Sequence, residues 1–148
     1  MNLSTDTIDV LKNFSNINQN ILVKPGKTVQ TISTMKNILA EAEVNEEFGS
    51  EFAIYDLPEF LRSIELFDSP QLKFNGGTNV QINEEKSKQN IKYFFADKSV
   101  IVSPTKSITM PDNFVSFTFK KESFAKLMKA ATTLNLVDVA VVGNGSKI

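Results

Sequence analysis

The segment DLPEFLRSIELFDSPQLKFNGGTNVQI, residues 56–82, contains in succession the patterns of a helix, a strand, a glycine turn and a second strand. Asp56 and Pro58 are typical of a helix start, because aspartate caps free amides and a first-turn proline has no hydrogen bond to lose. Apolar residues then recur at helical spacing, at Leu57, Phe60, Leu61, Ile64 and Phe67. Gly76-Gly77 between two strand patterns predicts a hairpin. The segment therefore predicts an α+β fold with helices packed on antiparallel sheets.

The same order of patterns occurs three times along the 148 residues. The first copy spans residues 4–34 with Gly26 at its turn, and the third begins near Lys121 and reaches Gly143-Asn144-Gly145. Repetition of one unit is typical of extended, symmetric surfaces rather than of enzymatic pockets. We interpret the repeats as two related domains in tandem. The predicted organisation is a complete first domain over 1–98, a connector over 99–112 and part of a truncated second domain over 113–148.

Helical periodicity predicts helices over residues 4–17, from Leu57 and over 121–135. The third helix has an apolar side whose burial we expect, formed by Phe124, Leu127, Met128, Ala131 and Leu134. We predict strands over 21–24, 28–33, 38–44, 51–55, 71–74, 79–82, 91–95, 114–119 and 137–142. The polar stretch 83–90 predicts a solvated loop.

Two absences narrow the chemistry of the chain. It has no Cys and no His, so it offers no thiol nucleophile, no cysteine metal site and no imidazole base. Carboxylate or lysine catalysis remains possible, whereas we expect no metal and no cofactor. The cluster of Glu41, Glu43, Glu46 and Glu47 fits a solvated strand end better than a cation site. The glycine turns fit hairpins better than phosphate cradles, because each leads into a strand rather than a helix.

The chain contains no apolar run near the roughly 20 residues of a membrane span. Its first residues, Met1–Asp6, lack the basic and apolar regions of a signal peptide. We therefore expect an intracellular protein without membrane contact. The net charge of −1 argues against a generally basic nucleic-acid binder, so any such role depends on where the lysines lie.

Several segments, in order, resemble the sliding clamp of T-even bacteriophages, the processivity factor of the phage DNA polymerase. They are Leu3–Thr7 with Leu11–Phe14, Ala40–Ala42, Phe52–Leu57 with Phe60-Leu61, and Val102–Lys106. The resemblance implies a ring of three identical two-domain subunits, with helices lining the hole and sheets forming the outer wall. It also implies that the protein is not an enzyme and has no catalytic residue. It implies as partners double-stranded DNA, held without sequence specificity, the phage DNA polymerase and an ATP-driven clamp loader. The implied location is the cytoplasm of the infected bacterium.

The chain departs from that family by ending before the fourth helix. In such rings an edge strand of the first domain pairs with the neighbour's second domain, so ring closure by these 148 residues is in question. The alternative, from another functional class, is a clamp-like module that binds peptides without encircling DNA.

The predicted DNA-facing residues include the basic residues opposite the apolar helix faces, which are Lys12, Arg62, Lys126 and Lys129. Lys121, at the start of the third helix, is predicted to face DNA as well. Lysines facing the hole would attract phosphates without reading sequence. The alternative is that they only keep exposed helix faces soluble, with Glu122 and Lys126 forming an i,i+4 pair.

The connector is the second candidate site. In the family that the chain resembles, partners insert a short peptide beside the interdomain connector. One wall of such a pocket would comprise Val100, Val102, Pro104, Ile108 and Met110. The alternative is that these residues only fix the connector against the sheets.

Overall fold

The computed structural model of the chain describes residues 1–85, 87–105 and 116–143. The chain divides into two compact units, Met1–Ser107 and Ile108–Ile148. Their common limit falls within the predicted connector, and the domain limits proposed from the sequence stay predictions.

The first unit contains two helices and seven strands among its described residues. In chain order they are α1 (Thr5–Ser15), β1 (Ile21–Val23), β2 (Gly26–Ile32), β3 (Leu39–Phe48), β4 (Phe52–Ile54), α2 (Leu57–Glu65), β5 (Gln71–Asn75), β6 (Asn79–Asn83) and β7 (Asn90–Phe94). A 3₁₀ turn, Lys98–Val100, follows β7. The predicted α+β class with antiparallel pairing is confirmed.

Helix α1 begins where the sequence predicts. The Ser4 side chain accepts a hydrogen bond from the Thr7 amide, which satisfies one of the free N–H groups of the first turn. A second residue from the sheet adds to this cap: the Glu46 carboxylate of β3 accepts from the Ser4 amide and from the Thr7 hydroxyl. The cap therefore joins the start of α1 to β3.

Helix α2 carries the predicted cap and the predicted apolar stripe. The Asp56 carboxylate accepts from the Glu59 amide at 2.7 Å, and Pro58 lies in the first turn. All five apolar residues of the stripe, from Leu57 to Phe67, are buried. This helix therefore packs on the sheets by the face that the sequence indicates.

All three groups of strands are antiparallel. Strand β1 pairs with β4, β2 pairs with β3, and β5, β6 and β7 form a three-stranded sheet in that order. The Gly76-Gly77 hairpin is confirmed, since Asn75 pairs with Asn79 across it. The Gly26 turn differs: β1 and β2 follow each other in sequence but pair with different strands, and Gly26 opposes Phe48 beside a register irregularity.

One apolar core joins the two helices to the strands of the first unit. Its fully buried side chains include Phe60, Leu57, Ile64, Leu72 and Val80. The Tyr93 ring packs edge-on against Phe60, and the Tyr93 hydroxyl donates to the Asp56 carbonyl at 3.2 Å. This contact fixes the start of α2 against β7.

Helix α3 (Lys121–Thr133) is the element of the second unit within 116–143. Three predictions are wrong here. Residues 116–119 and 137–142 do not form strands. The apolar side of α3 is mostly exposed, at Phe124, Met128 and Leu134, while Leu127 is half-buried and only Ala131 is buried. The physical reason is that the described part of this unit holds one helix and no sheet to cover it. The predicted turn after Gly143 and residues 114–115 lie outside the described residues.

Candidate DNA-facing surface and connector site

Helices α1 and α2 pack side by side and share an exposed face. Each helix buries its apolar stripe, so its charged residues point outward, as the helical spacing predicts. The exposed charges of this face are four acidic and two basic residues: Asp6, Asp9, Glu59, Glu65, Lys12 and Arg62. The face thus has a net charge of −2. It carries two of the five predicted DNA-facing residues, but it does not form a basic patch.

An ion pair crosses this face. The Lys12 ammonium lies 2.6 Å from the Glu65 carboxylate, and both side chains are about half exposed, at 49% each. The hydrogen bond to Glu65, followed by the attraction of its charge, raises the pKa of Lys12 above its usual range. Lys12 is therefore held by a neighbouring carboxylate, whereas Arg62 makes no ion pair with any residue that the structure describes.

Helix α3 has the opposite charge balance. Lys121, Lys126 and Lys129 are exposed, as is the one acidic residue, Glu122, which gives the helix a net charge of +2. At 100° per residue, Glu122, Lys126 and Lys129 occupy the side opposite Phe124 and Met128, whereas Lys121, in the first turn, lies on the same side as Met128. Within the described ranges, Glu122 and Lys126 do not form the i,i+4 ion pair suggested by their spacing. All three predicted lysines of α3 are thus available to a phosphate.

The first half of the predicted connector lies against the first unit. Val102 is half-buried and Pro104 is buried, together with Ile101 at 8% exposure. Val100 lies in the 3₁₀ turn and is 54% exposed. Ile108 and Met110, the other two residues predicted for the partner-peptide wall, lie outside the described residues.

Two asparagines of the loop between α1 and β1 hold the connector. The Val102 amide donates to Asn20 Oδ1 at 3.1 Å, and Asn18 Nδ2 donates to the Val102 carbonyl at 3.4 Å. Asn18 is only 4% exposed; its Nδ2 also donates to the Ile32 carbonyl at 2.8 Å, and its Oδ1 accepts from the Asn20 amide at 3.1 Å. Val102 therefore makes both of its backbone hydrogen bonds to side chains.

Sequence reasoning did not identify these asparagines. The signal for them is the alternation of asparagine at positions 16, 18 and 20. A run of this kind reads equally well as a solvated loop, because asparagine is common in turns.

A shallow groove runs beside the held connector. It is lined by Leu22, Lys24, Thr28, Gln30, Ser103 and Pro104. Strands β1 and β2 supply its floor, and Ser103 and Pro104 supply one wall. The lining combines apolar side chains with hydrogen-bonding groups and one exposed lysine.

Within the described part of the chain, no three acidic, histidine or cysteine side chains lie close enough to hold a metal ion. Among the same residues, no helix has the length and apolar composition needed to cross a bilayer.

Comparison with known proteins identifies relatives along the whole chain. A family model described as DNA polymerase processivity factor matches residues 4–103. The sliding clamp of Escherichia phage RB69 is 34% identical over 100% of this chain and 64% of its own length. The sliding clamp of Vibrio phage KVP40 is 31% identical over 95% of this chain and 64% of its own. The sliding clamp of Enterobacteria phage T4 is 31% identical over 100% of this chain and 64% of its own. The chain thus spans slightly less than two thirds of each relative's length.

Proposed function

This chain belongs to the family of DNA polymerase processivity factors, and from that membership we propose that it acts in a sliding clamp. The clamp encircles duplex DNA and tethers the phage DNA polymerase to its template. It performs no chemistry of its own. The observation that carries this proposal is the family match over residues 4–103, joined to three relatives named sliding clamps.

The charge distribution supports a protein that surrounds DNA without binding it tightly. Phosphate attraction is independent of sequence and falls with salt, so a moderate basic surface centres DNA while it still slides. The net charge of +2 on α3 supplies that attraction, and the −2 face of α1 and α2 limits it. We assign DNA-facing positions to Lys126 and Lys129 first, and to Lys121, Lys12 and Arg62 second.

The proposed assembly is a ring of three copies, opened and loaded on DNA by a separate ATP-driven clamp loader. The proposed location is the cytoplasm of the infected bacterium, where the template and the polymerase are found. The proposed docking segment for partner peptides is the connector, with Val100, Val102, Pro104, Ile108 and Met110 as the proposed contact residues; of these, Pro104 lines the groove.

The decisive experiment compares retention on closed and open DNA. The chain is incubated with the clamp loader, ATP and nicked circular DNA, and DNA-bound protein is separated by gel filtration. Linearising the DNA with a restriction enzyme should release the protein, because a ring slides off free ends. Analytical ultracentrifugation of the same sample should give three copies per complex.

Equal retention before and after linearisation would contradict a topological clamp. A control with the loader but without ATP measures direct binding, and retention that is the same with and without ATP would also count against loading of a ring.

The alternative is a clamp-like module that binds peptides and does not encircle DNA. The observation that favours it is the connector held along the first unit by Asn18 and Asn20, beside a groove with mixed lining. A monomer that binds the polymerase and shows no retention on circular DNA would support this alternative.

A further inference from the structure

We propose that Asn18 and Asn20 are positioning residues that hold the connector extended before a partner peptide arrives. This inference rests on the proposed partner-binding role of the connector. The two residues do not themselves have to touch the partner. They determine where Val102, Ser103 and Pro104 stand relative to the floor of the groove.

The geometry is that of a strand pairing carried out by side chains. A residue within a sheet donates its N–H and accepts at its C=O from a neighbouring backbone. Val102 does both, but its partners are Asn20 Oδ1 and Asn18 Nδ2. Both backbone groups of Val102 are fixed, and the backbone of the preceding Ile101 is extended, so the direction of the chain at Val102 is fixed as well.

The support behind Val102 is itself buried and bonded. Asn18 is fixed by the Ile32 carbonyl of β2 and by the Asn20 amide. A buried amide with these partners cannot turn away without leaving polar groups unsatisfied. The connector is also anchored by the buried Ile101 and Pro104 side chains.

The wall of the groove formed by Ser103 and Pro104 is therefore in place before the partner peptide binds. A flexible segment loses conformational entropy when it is ordered by a ligand, and ordering it in advance removes that cost from the association. The occupant that we propose is a short extended peptide that presents an apolar side chain to Leu22 and Pro104 and an acidic group to Lys24, all of which line the groove. We therefore expect the asparagines to raise partner affinity through the connector.

The test uses the half-buried Asn20, whose replacement leaves the buried Asn18 in place. Asn20→Ala removes the acceptor for the Val102 amide, and Asn20→Asp keeps an oxygen there. The matched control is Asn13→Ala, on the exposed face of α1. Hydrogen exchange at the Val102 amide reports on the connector, and surface plasmon resonance against the DNA polymerase encoded by the same genome reports on binding.

We expect Asn20→Ala to lose protection at Val102 and to bind the polymerase about two- to tenfold more weakly, the equivalent of one hydrogen bond. Asn20→Asp should restore both readouts, and Asn13→Ala should match the wild type. Urea unfolding of each variant separates this effect from a general loss of stability.

Two results would overturn the inference: loss of Val102 protection with unchanged polymerase affinity, or equal weakening by Asn20→Ala and Asn20→Asp. A wild-type chain that does not bind the polymerase at all is a different result. It contradicts the proposed function itself, and the inference falls with it.

Discussion

The Lys12 ammonium of α1 and the Glu65 carboxylate of α2 lie 2.6 Å apart on an otherwise exposed face. Lys12 is the only basic residue of α1, so this pair neutralises the one cation that the helix can offer to a phosphate. An exposed pair of this kind is weak, because solvent screens both charges. It can therefore compete with a DNA phosphate for Lys12 without excluding it.

We predict that Glu65→Gln increases the affinity of the chain for a duplex, because it frees Lys12. The expected increase is about two- to fivefold at low ionic strength, the equivalent of a surface pair. Fluorescence anisotropy with a labelled duplex measures it. Glu59→Gln, on the same helix, makes the same charge change without freeing a lysine and should increase affinity less. Equal increases in the two variants would mean that net charge, and not the Lys12–Glu65 pair, determines the effect.

A second prediction concerns the buried Asn18. Asn18→Ala leaves the Ile32 carbonyl and the Asn20 amide without their partner, so we expect the free energy of unfolding to fall by about 1–3 kcal/mol. Urea unfolding followed by circular dichroism measures the change. The slope of the unfolding free energy against urea concentration should not change if the variant exposes the same surface on unfolding. The control variant Asn13→Ala, at an exposed position, should lower the free energy of unfolding by less than about 0.5 kcal/mol. A loss no larger for Asn18→Ala than for this control would show that the buried network contributes little.

The third prediction concerns pH. Partial burial tends to raise the pKa of Glu46, but hydrogen bonds from Thr7 and Ser4 outweigh it and lower the pKa below its ordinary value of 4.5. The native state therefore binds this proton more weakly than the unfolded state. The stabilisation is fully present above about pH 4.5 and is lost as the pH falls through the native pKa.

Glu46→Gln should remove this part of the acid sensitivity, since the amide does not titrate. Unfolding free energies measured at several pH values between neutrality and pH 3 test this. Glu47→Gln, exposed on the same strand, should retain the wild-type dependence. A Glu46→Gln variant as acid-sensitive as the wild type would exclude Glu46 as the source.

The first unit was largely predictable because its signals are local. In α2, the cap at Asp56, the proline in the first turn and the apolar spacing agree with one another, and each is seen in the structure. The hairpin at Gly76-Gly77 follows from the conformations that only glycine adopts easily. Local signals of this kind need no information about the rest of the chain.

The errors arise where structure depends on distant partners. Residues 137–142 have strand propensity, but a strand forms only when another backbone satisfies its hydrogen bonds, and no described segment of the second unit does so. The apolar side of α3 has correct spacing and no sheet to pack on. Likewise, Asn18 and Val102 are 84 positions apart, and nothing in the local sequence of either indicates the other.

The fourth prediction uses the two glycines of the hairpin. Both have positive φ, +55° at Gly76 and +75° at Gly77, but they differ in the space around them. A Cβ at Gly76 would meet nothing within 4 Å, whereas one at Gly77 would lie 3.2 Å from the Glu51 carbonyl oxygen. We expect Gly76→Ala to lower the free energy of unfolding by about 1 kcal/mol, because alanine disfavours this backbone conformation. Gly77→Ala should lower it by about 2 kcal/mol, because the new Cβ also crowds the Glu51 carbonyl. Thermal unfolding of the two variants tests this difference, and equal costs would exclude a role for the Glu51 carbonyl.

The last prediction concerns the proposed DNA-facing lysines of α3. Lys126→Glu combined with Lys129→Glu changes the helix from a net charge of +2 to −2. Both side chains are exposed, so the circular dichroism spectrum should not change. We expect weaker retention on circular DNA at low salt. The slope of log affinity against log salt concentration should decrease in magnitude by up to about 2, because two phosphate contacts are lost.

The matched control reverses two lysines on the sheet side of the first unit. Lys73 and Lys92 are exposed, and both flank Gln81 across β5, β6 and β7, so they lie on one sheet face. Lys73→Glu combined with Lys92→Glu makes the same change in net charge away from the helices. If location matters, this variant should retain DNA nearly as well as the wild type, because charges beyond a Debye length are screened. If both double variants lose retention equally, total charge governs DNA contact and the assignment of Lys126 and Lys129 is wrong.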